Sequence, residues 1–578
     1  MSNSEESSLY PIAVLIDELR SDEISRRINS IKNLRTIATA LGYERTRTEL
    51  IPYLSELIDD EEQVLLSLSE ILPTMIDCVG GKYFAHVLFD PLELLCQVED
   101  SSVRASAVQS FKTIFNQLDM PLLEPALLDM IKRMNDGDYF TSKSGAAMAI
   151  SVCIGSMSNE GKTAVLEIFK GILENNQPQV RKSAAENLKF LPNVCISHEN
   201  VLIECLRLIT NDKEDTVRLL TVENLIEFCK FYPENIVNAS IIPMLRVILE
   251  DKSWKIRYML CDKIAELGEC LSNEHRTNLL CPYYIKFLQD PETEVRTMAC
   301  TRLAEFGKLL PIDQMIIILQ ILSPLTADVD SVKIALASNI NKVSPIIGKA
   351  NTEMHIVKIL NDLSKDPSPD LRMCLFSDLE SLGSVVGFEI IGKHIIPALQ
   401  ELSEDKQWRI RIRAADTIPI LGRQLGLEFF SMHLDSIMKK LLNDSVFSVR
   451  ESIIKGYKEL SELYGSTWAE AKISEEIAEF QASESYLRRM TMISMVKAFL
   501  SKMSEEKILA IVVPMIVSLS SDAVPNIRLN IARLIKEVFP LVTDASTKDR
   551  IKAILKTMSR DDDVDVKFYS DLSLKAFG

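Results

Sequence analysis

Glycine is scarce in this sequence, at 19 of 578 residues, about half of common usage. Few positions can therefore take the positive φ that tight turns require. That argues against barrels, sandwiches and glycine-cradled nucleotide folds, and for long helices with short connections. Aromatics make up only 6% of the chain, within an apolar fraction of 47%. Basic residues fall short of acidic ones, 65 against 82, for a net charge of −17. An acidic surface repels phosphate backbones, so no nucleic-acid partner is expected. No CxxC pair occurs, and the 11 cysteines run from Cys78 to Cys374 with none after. This fits reduced cytosolic core thiols rather than a disulfide framework or a zinc site. No apolar run approaches the ~20 residues that span a bilayer. The strongest, Ile508 to Leu519, is interrupted by Pro514, so no membrane insertion is expected. The polar start MSNSEESS does not read as a signal or transit peptide. Residues 1–7 are expected to be disordered, and the protein to be soluble and intracellular: cytoplasmic, with the nucleus as a second compartment.

What the chain has is a period. The segments VRTMACTRLAEFGKLL, IRIRAADTIPILGRQL and VRESIIKGYKELSELY share one apolar pattern. Its positions are Val295, Ala299, Leu303, Phe306 and Leu310; then Ile410, Ala414, Ile418, Leu421 and Leu425; then Val449, Ile453, Tyr457, Leu460 and Tyr464. Steps of 4, 4, 3 and 4 trace one face of an α-helix. The cation beside the first apolar residue recurs along the whole chain: Arg27, Leu65, Arg104, Lys143, Arg181, Arg218, Arg257, Arg296, Lys333, Arg372, Arg411, Arg450, Arg489, Arg528 and Lys567. All 14 intervals are 37, 38 or 39 residues, and only Leu65 breaks the rule.

Other columns keep the register. An aspartate stands six residues before the cation position at Asp59, Asp212, Asp251, Asp290, Asp366, Asp405, Asp444, Asp522 and Asp561. A proline precedes it by 13 or 14 residues at Pro52, Pro91, Pro243, Pro282, Pro397 and Pro514. Each repeat then reads as helix A, with an amphipathic stretch running from the proline to the aspartate, a turn beginning there, and helix B starting near the cation. A helical pair repeating at about 39 residues is the signature of a HEAT or armadillo solenoid. The expected fold is an all-α right-handed superhelix of 15 repeats with two helices each. In the stack, the turn aspartate of one repeat is expected to reach the cation of the next, giving a ladder of charge-assisted bonds.

No catalytic set emerges. Gly155 to Thr163 imitates a P-loop, but five residues separate Gly155 from Gly161 where a phosphate cradle needs four. Cys195 and His198 form a lone CxxH without a second pair, and the six histidines lie apart. Neither a nucleophile–base–orienter constellation nor a cofactor site is visible.

One column invites a function. Three residues before the cation, in the turn as the sequence reads, stand Phe140, Trp254, Trp408, Phe447 and Tyr486, with Pro525 continuing the line. Trp408, Phe447 and Tyr486 belong to consecutive repeats, so stacking aligns them. Aromatics flanked by Arg409, Arg488 and Asn526 have the composition of a protein-binding hot spot.

The segments SLYPIAVLIDELR (8–20), ALGYERTRTELIPYL (40–54), EDKSWKIRYM (250–259), SPIIGKANT (344–352), QLGLEFF (424–430), SYLRRMT (485–491) and DVDVKF (563–568) resemble the scaffold (A) subunit family of protein phosphatase 2A. The resemblance implies a horseshoe of 15 HEAT repeats with no activity of its own. It implies a serine/threonine phosphatase catalytic subunit held on repeats 11–15 (residues 391–578), and a variable regulatory B subunit on the N-terminal repeats, within 8–390. Carried over by position, the first site comprises Trp408, Arg409, Phe447, Tyr486, Arg489, Asn526 and Asp563. The second comprises Glu61, Glu99, Asp100, Asp138, Tyr139, Phe140, Pro178, Arg181, Trp254 and Lys255. Phe447 stands where that family usually has tyrosine, Tyr139 where it has tryptophan, and Lys255 where it has arginine. Lysine loses the guanidinium fork. The other class considered, a HEAT-type nuclear transport carrier, typically has a long acidic loop, for which the intervals leave no room.

Overall fold

The computed structural model describes residues 14–117, 120–480 and 483–577. The stretch 1–7, expected to be disordered, lies outside them. Among the described residues every regular element is helical and none is a strand. The chain divides into two compact units, Met1–Val295 and Arg296–Gly578, and each is a succession of helical pairs: the fold is an all-α solenoid.

The apolar pattern becomes the interior. Of its fifteen residues, all except Tyr464 are buried. Tyr464 is half-buried, and its hydroxyl donates to Gly422 O at 2.7 Å, tying one helix B to the preceding one. Such close approach needs small residues. A Cβ on Gly456 would come within 2.8 Å of Pro419.

Helix B begins at a fixed place. At every ladder position, from Ile24 before Arg27 to Val564 before Lys567, the residue three before it is the first residue of a helix. The aromatic column therefore belongs to the helix starts, not to the turn where the sequence reading put it.

Helix A also differs from expectation. It begins nine residues ahead of the proline, at Tyr43 for Pro52, Glu234 for Pro243, Asn273 for Pro282 and Glu505 for Pro514. A five-residue π-helical stretch comes just before, as in Thr46–Leu50 and Ile508–Val512. The widened turn accommodates a ring that cannot donate an N–H and would clash with the carbonyl one turn back. The same stretch occurs without proline at Thr352–Ile356 and Phe430–Leu434. It is thus a feature of the repeat that proline exploits.

The passage from helix B to the next helix A uses the few glycines. Gly42, Gly80, Gly348, Gly387, Gly426 and Gly465 all have φ between 76 and 100°, and each follows its ladder position by 15 residues. Where the glycine is missing, Pro233, Ser272, Pro311 or Ser504 makes the corner in extended conformation.

Two substitutions separate backbone strain from crowding. Nothing lies within 4 Å of a Cβ on Gly426 or on Gly171, but only Gly426 has positive φ. Gly426→Ala is expected to destabilise by about 1–3 kcal/mol. Gly171→Ala, inside the helix Asn159–Leu173, is expected to stabilise by up to about 1 kcal/mol. Urea unfolding of both variants checks the opposite signs.

Candidate protein-docking edge

A ladder of ion pairs sets the spacing of the helix starts. In the rung best aligned with the aromatic column, Arg411 donates from Nε to Asp444 Oδ2 at 2.6 Å and from Nη2 to Oδ1 at 2.9 Å. Its Nη1 donates back to Asp405 O at 2.7 Å, in the turn before its own helix. Asp444 in turn accepts from Val446 N at 2.8 Å. One guanidinium thus closes its own turn and grips the next. Equivalent rungs join Arg181 to Asp212, Arg218 to Asp251, Arg257 to Asp290, Arg296 to Asp328, Arg489 to Asp522 and Arg528 to Asp561, while Arg27 reaches Asp60 through Nη2 alone and Lys333 reaches Asp366 with its ammonium.

The ladder runs opposite to the expected direction: each aspartate pairs with the cation of the repeat before it. A helix B cation at the fourth residue points toward the following turn, while its own turn offers it only carbonyls. Two members also differ from the expected column. Asp60 takes the place of Asp59, and Asp328, outside the column, supplies a rung. Asp405 makes no rung, because Arg372 reaches Glu401 at 2.9 Å instead, and Asp405 caps its own turn at Gln407 N.

The candidate site residues fall on this frame. In the second unit, Trp408, Phe447 and Tyr486 are first residues of helix B and are 37, 58 and 47% exposed. The Arg411–Asp444 rung joins the helices starting at Trp408 and Phe447, and among the described residues no rung joins those starting at Phe447 and Tyr486. The Arg409 guanidinium lies 4.6 Å from the Trp408 ring centroid, a cation–π contact that restrains both side chains. Asn526 is exposed at the second position of its helix. Asp563 caps the last helix by accepting from Asp565 N and Val566 N. Arg489 is a ladder rung whose side chain is 14% exposed, so it orders the edge more than it presents a surface.

In the first unit, Phe140, Pro178 and Trp254 are likewise first residues of helix B, and Lys255 follows Trp254. Glu61 and Tyr139 immediately precede their helices. Asp100 caps the helix Ser101–Phe115, accepting from Ser102 N and Val103 N. Those bonds hold its carboxyl below the usual range. Glu99 and Asp138 stand one residue further out, and Arg181 is a rung.

Around the one ladder position without a cation, Leu65, an open groove of about 580 Å³ is lined by Asp59, Asp60, Glu62, Glu99, Asp100, Tyr139 and Phe140, among others. None of its lining residues is basic. Such a surface accepts a lysine or arginine side chain by charge and by the aromatic face. The sequence reading missed Asp59, Asp60 and Glu62 as part of this surface. The signal was the Leu65 exception: Asp60 is paired with Arg27, but the turn of Glu99 and Asp100 receives no ladder cation from the repeat before it.

The remaining motifs are structural. The P-loop imitation is a corner whose Ser158 caps the helix Asn159–Leu173. Cys195 is buried, and the His198 ring contacts Thr163 and Ser197. Among the described residues no group of three His, Cys, Asp or Glu could hold a metal. No described helix is long and apolar enough to cross a membrane.

A solenoid with an ordered row of helix starts defines the class: an all-α helical-repeat protein. A family model described as PIK3R4-like, middle domain, matches residues 12–324, more than half of the chain, and the chain belongs to that family. It is also similar to the beta isoform of the 65 kDa A-type regulatory subunit of serine/threonine-protein phosphatase 2A from Homo sapiens. Identity there is 46% over 183 residues, covering 32% of this chain and 30% of the relative. A Caenorhabditis elegans relative, named as a probable PP2A regulatory subunit, is 41% identical over 227 residues, 39% of this chain and 38% of the relative. A Schizosaccharomyces pombe relative, also named for the A-type regulatory subunit of PP2A, is 37% identical with the same coverage. The chain thus matches about a third of the length of these relatives, and their names bear out the resemblance carried by its motifs. Among solved structures, a chain of the complex of Kap95p with RanGDP aligns at TM-score 0.55 and 12% identity, over 97% of this chain and 76% of that one. That likeness is one of fold.

The ladder has a pH signature. Burial pushes the Asp444 carboxyl up, but Arg411 and the Val446 N–H outweigh it and hold it below the usual range. The same balance lowers Asp212, Asp251 and Asp366. A carboxyl depressed in the folded state contributes stability above its unfolded pKa of about 3.9, and that contribution disappears as pH falls toward the native value. The melting temperature should therefore hold from pH 7 to about 5 and drop below about 4. With side chains 13 and 9% exposed, the Arg411–Asp444 pair lies between surface and buried cases. Asp444→Ala is expected to cost about 2 kcal/mol. It strands Arg411, not Arg450. A double-mutant cycle with Arg411→Met should recover a coupling of about that size.

Proposed function

We propose that the chain is a non-catalytic scaffold for a protein phosphatase of the 2A type. Its second unit holds the catalytic subunit on the row Trp408, Phe447 and Tyr486, and its first unit holds a variable regulatory subunit near Tyr139, Phe140 and Trp254. The observation that carries this reading is the aromatic row: three consecutive helix starts expose a large ring in a chain with 6% aromatics. Rings at helix starts cost the interior little, and a row set by stacked repeats is preorganised for one rigid partner. The relatives' names support the phosphatase as that partner. A nuclear transport carrier has only the fold likeness behind it.

The acidic groove around Leu65 suits basic side chains of a regulatory subunit. Exchange of such subunits on the first unit, with the catalytic subunit kept on the second, would let one scaffold serve several complexes.

Binding measured on purified subunits tests the assignment. Trp408→Ala should weaken catalytic-subunit binding by about thirtyfold or more, the ~2 kcal/mol of a truncated anchor, while melting changes little. Trp254→Ala should leave that binding intact and weaken a regulatory subunit. If both variants only melt earlier and bind both partners unchanged, the row is packing and not interface.

A further inference from the structure

The ladder is interrupted, and one interruption has a chemistry of its own. Leu65 offers no cation, and Arg372 is served by Glu401. The register position that holds the aspartate in a complete rung is occupied by Gly137 for Arg104, Asn175 for Lys143 and Ser483 for Arg450. Only the last of these residues carries a hydroxyl.

Arg450 alone among the ladder cations is buried, at 6% exposure. Its Nη1 donates to Asp444 O at 2.7 Å and Ser445 O at 3.1 Å, as in a complete rung. The other half of the fork is not served by a carboxylate. Nε donates to Thr491 Oγ1 at 3.1 Å, and Nη2 has no protein acceptor among the described residues. In complete rungs Nε and Nη2 together hold the next aspartate, as Arg489 holds Asp522. The Asp444 carboxylate of its own turn feels the Arg450 charge but is bonded to Arg411, and the Phe447 ring lies 5.8 Å from the guanidinium, so the buried fork has no carboxylate of its own among the described residues.

Ser483 performs only the local half of the missing aspartate's work. Its Oγ accepts from Ser485 N at 3.3 Å, the same bond two residues on that Asp444 and Asp522 make. A serine side chain is too short to do this and also reach the preceding repeat. A phosphoryl group on Oγ adds a P–O bond of reach, a charge near −2 and three strong acceptors suited to a guanidinium fork.

We propose that Ser483 and Arg450 form a phosphoryl site, in which phosphate carried on Ser483 Oγ docks on Arg450 and closes the rung between the helices starting at Phe447 and Tyr486. A kinase would transfer the γ-phosphoryl group of a nucleoside triphosphate. The Oγ–P bond forms, the bond from phosphorus to the diphosphate oxygen breaks, and the serine proton leaves to solvent. Ser483 is half-buried, but Glu484 and Ser485 beside it are exposed on the turn, so the segment is within reach of an enzyme. The consequence is mechanical: the only gap between the aromatic helix starts of the second unit becomes a rung.

The test uses the full chain with phosphoserine installed at 483 during translation, alongside unmodified chain and chain with phosphoserine at 485. In a ³¹P titration, phosphoserine 483 should ionise at least about half a unit below the usual value near 6, as a neighbouring guanidinium dictates. Phosphoserine 485 should titrate near 6. Arg450→Met should erase the difference, and hydrogen exchange in Phe447–Tyr464 and Tyr486–Phe499 should slow several-fold only in the 483 form. If Arg450→Met does not fold, the comparison of 483 with 485 decides alone. Indistinguishable titrations overturn the proposal, as does faster exchange in the 483 form. Inorganic phosphate added to unmodified chain is the second arm. If it slows the same amides as much as phosphoserine 483 does, the site takes a free oxyanion and Ser483 is not its carrier.

Discussion

A guanidinium that binds backward and forward at once is the interaction on which the rest depends. Nη1 of Arg411 closes the turn before its own helix, and Nε with Nη2 takes the carboxylate of the next turn. The apolar faces alone would let neighbouring helices slide by a turn, since Leu, Ile and Ala fit many registers. A bidentate pair, at 13 and 9% side-chain exposure, does not slide. Repetition of that bond turns helical pairs into a lattice with a fixed step.

From the step follows the surface. A first helical residue sits three positions before each cation, so whatever the sequence places there is displayed at constant spacing. Most repeats use this position for ordinary residues such as Ser101, Asp330 or Pro369. Three in succession spend an aromatic on it. The chain's other irregularities show the same logic: the Leu65 exception coincides with the acidic groove, and Ser483 in place of aspartate coincides with the buried Arg450.

Much of this was legible in the sequence, because period is a one-dimensional property. The interior face, helix B and the cation column could be read directly, and all but one of the fifteen facing residues are buried. The direction of the ladder could not: an aspartate six residues before one cation and 33 after another is compatible with either partner until the helix axis is known. The exchange of Asp59 for Asp60, and the service of Arg296 by Asp328, depend on turns that differ by one residue. The aromatic column was assigned to the turn because helix starts are blurred in sequence by a few residues. The corner glycines were missed although the same arithmetic reaches them. Gly348, Gly387, Gly426 and Gly465 follow their ladder positions at one offset, and their positive φ explains where a glycine-poor chain needs the residue.

The most direct measurement is a footprint. The full chain is labelled by hydroxyl radicals, free and with a purified catalytic subunit of the phosphatase 2A type, and modification is read residue by residue. Protection of Trp408, Phe447 and Tyr486, with unchanged labelling of Phe388 and Leu427 beside the corner glycines and of Trp254 in the first unit, is the expected result. Equal protection at the corners, or protection of Trp254 with none at Trp408, contradicts a docking edge built from the helix starts of the second unit.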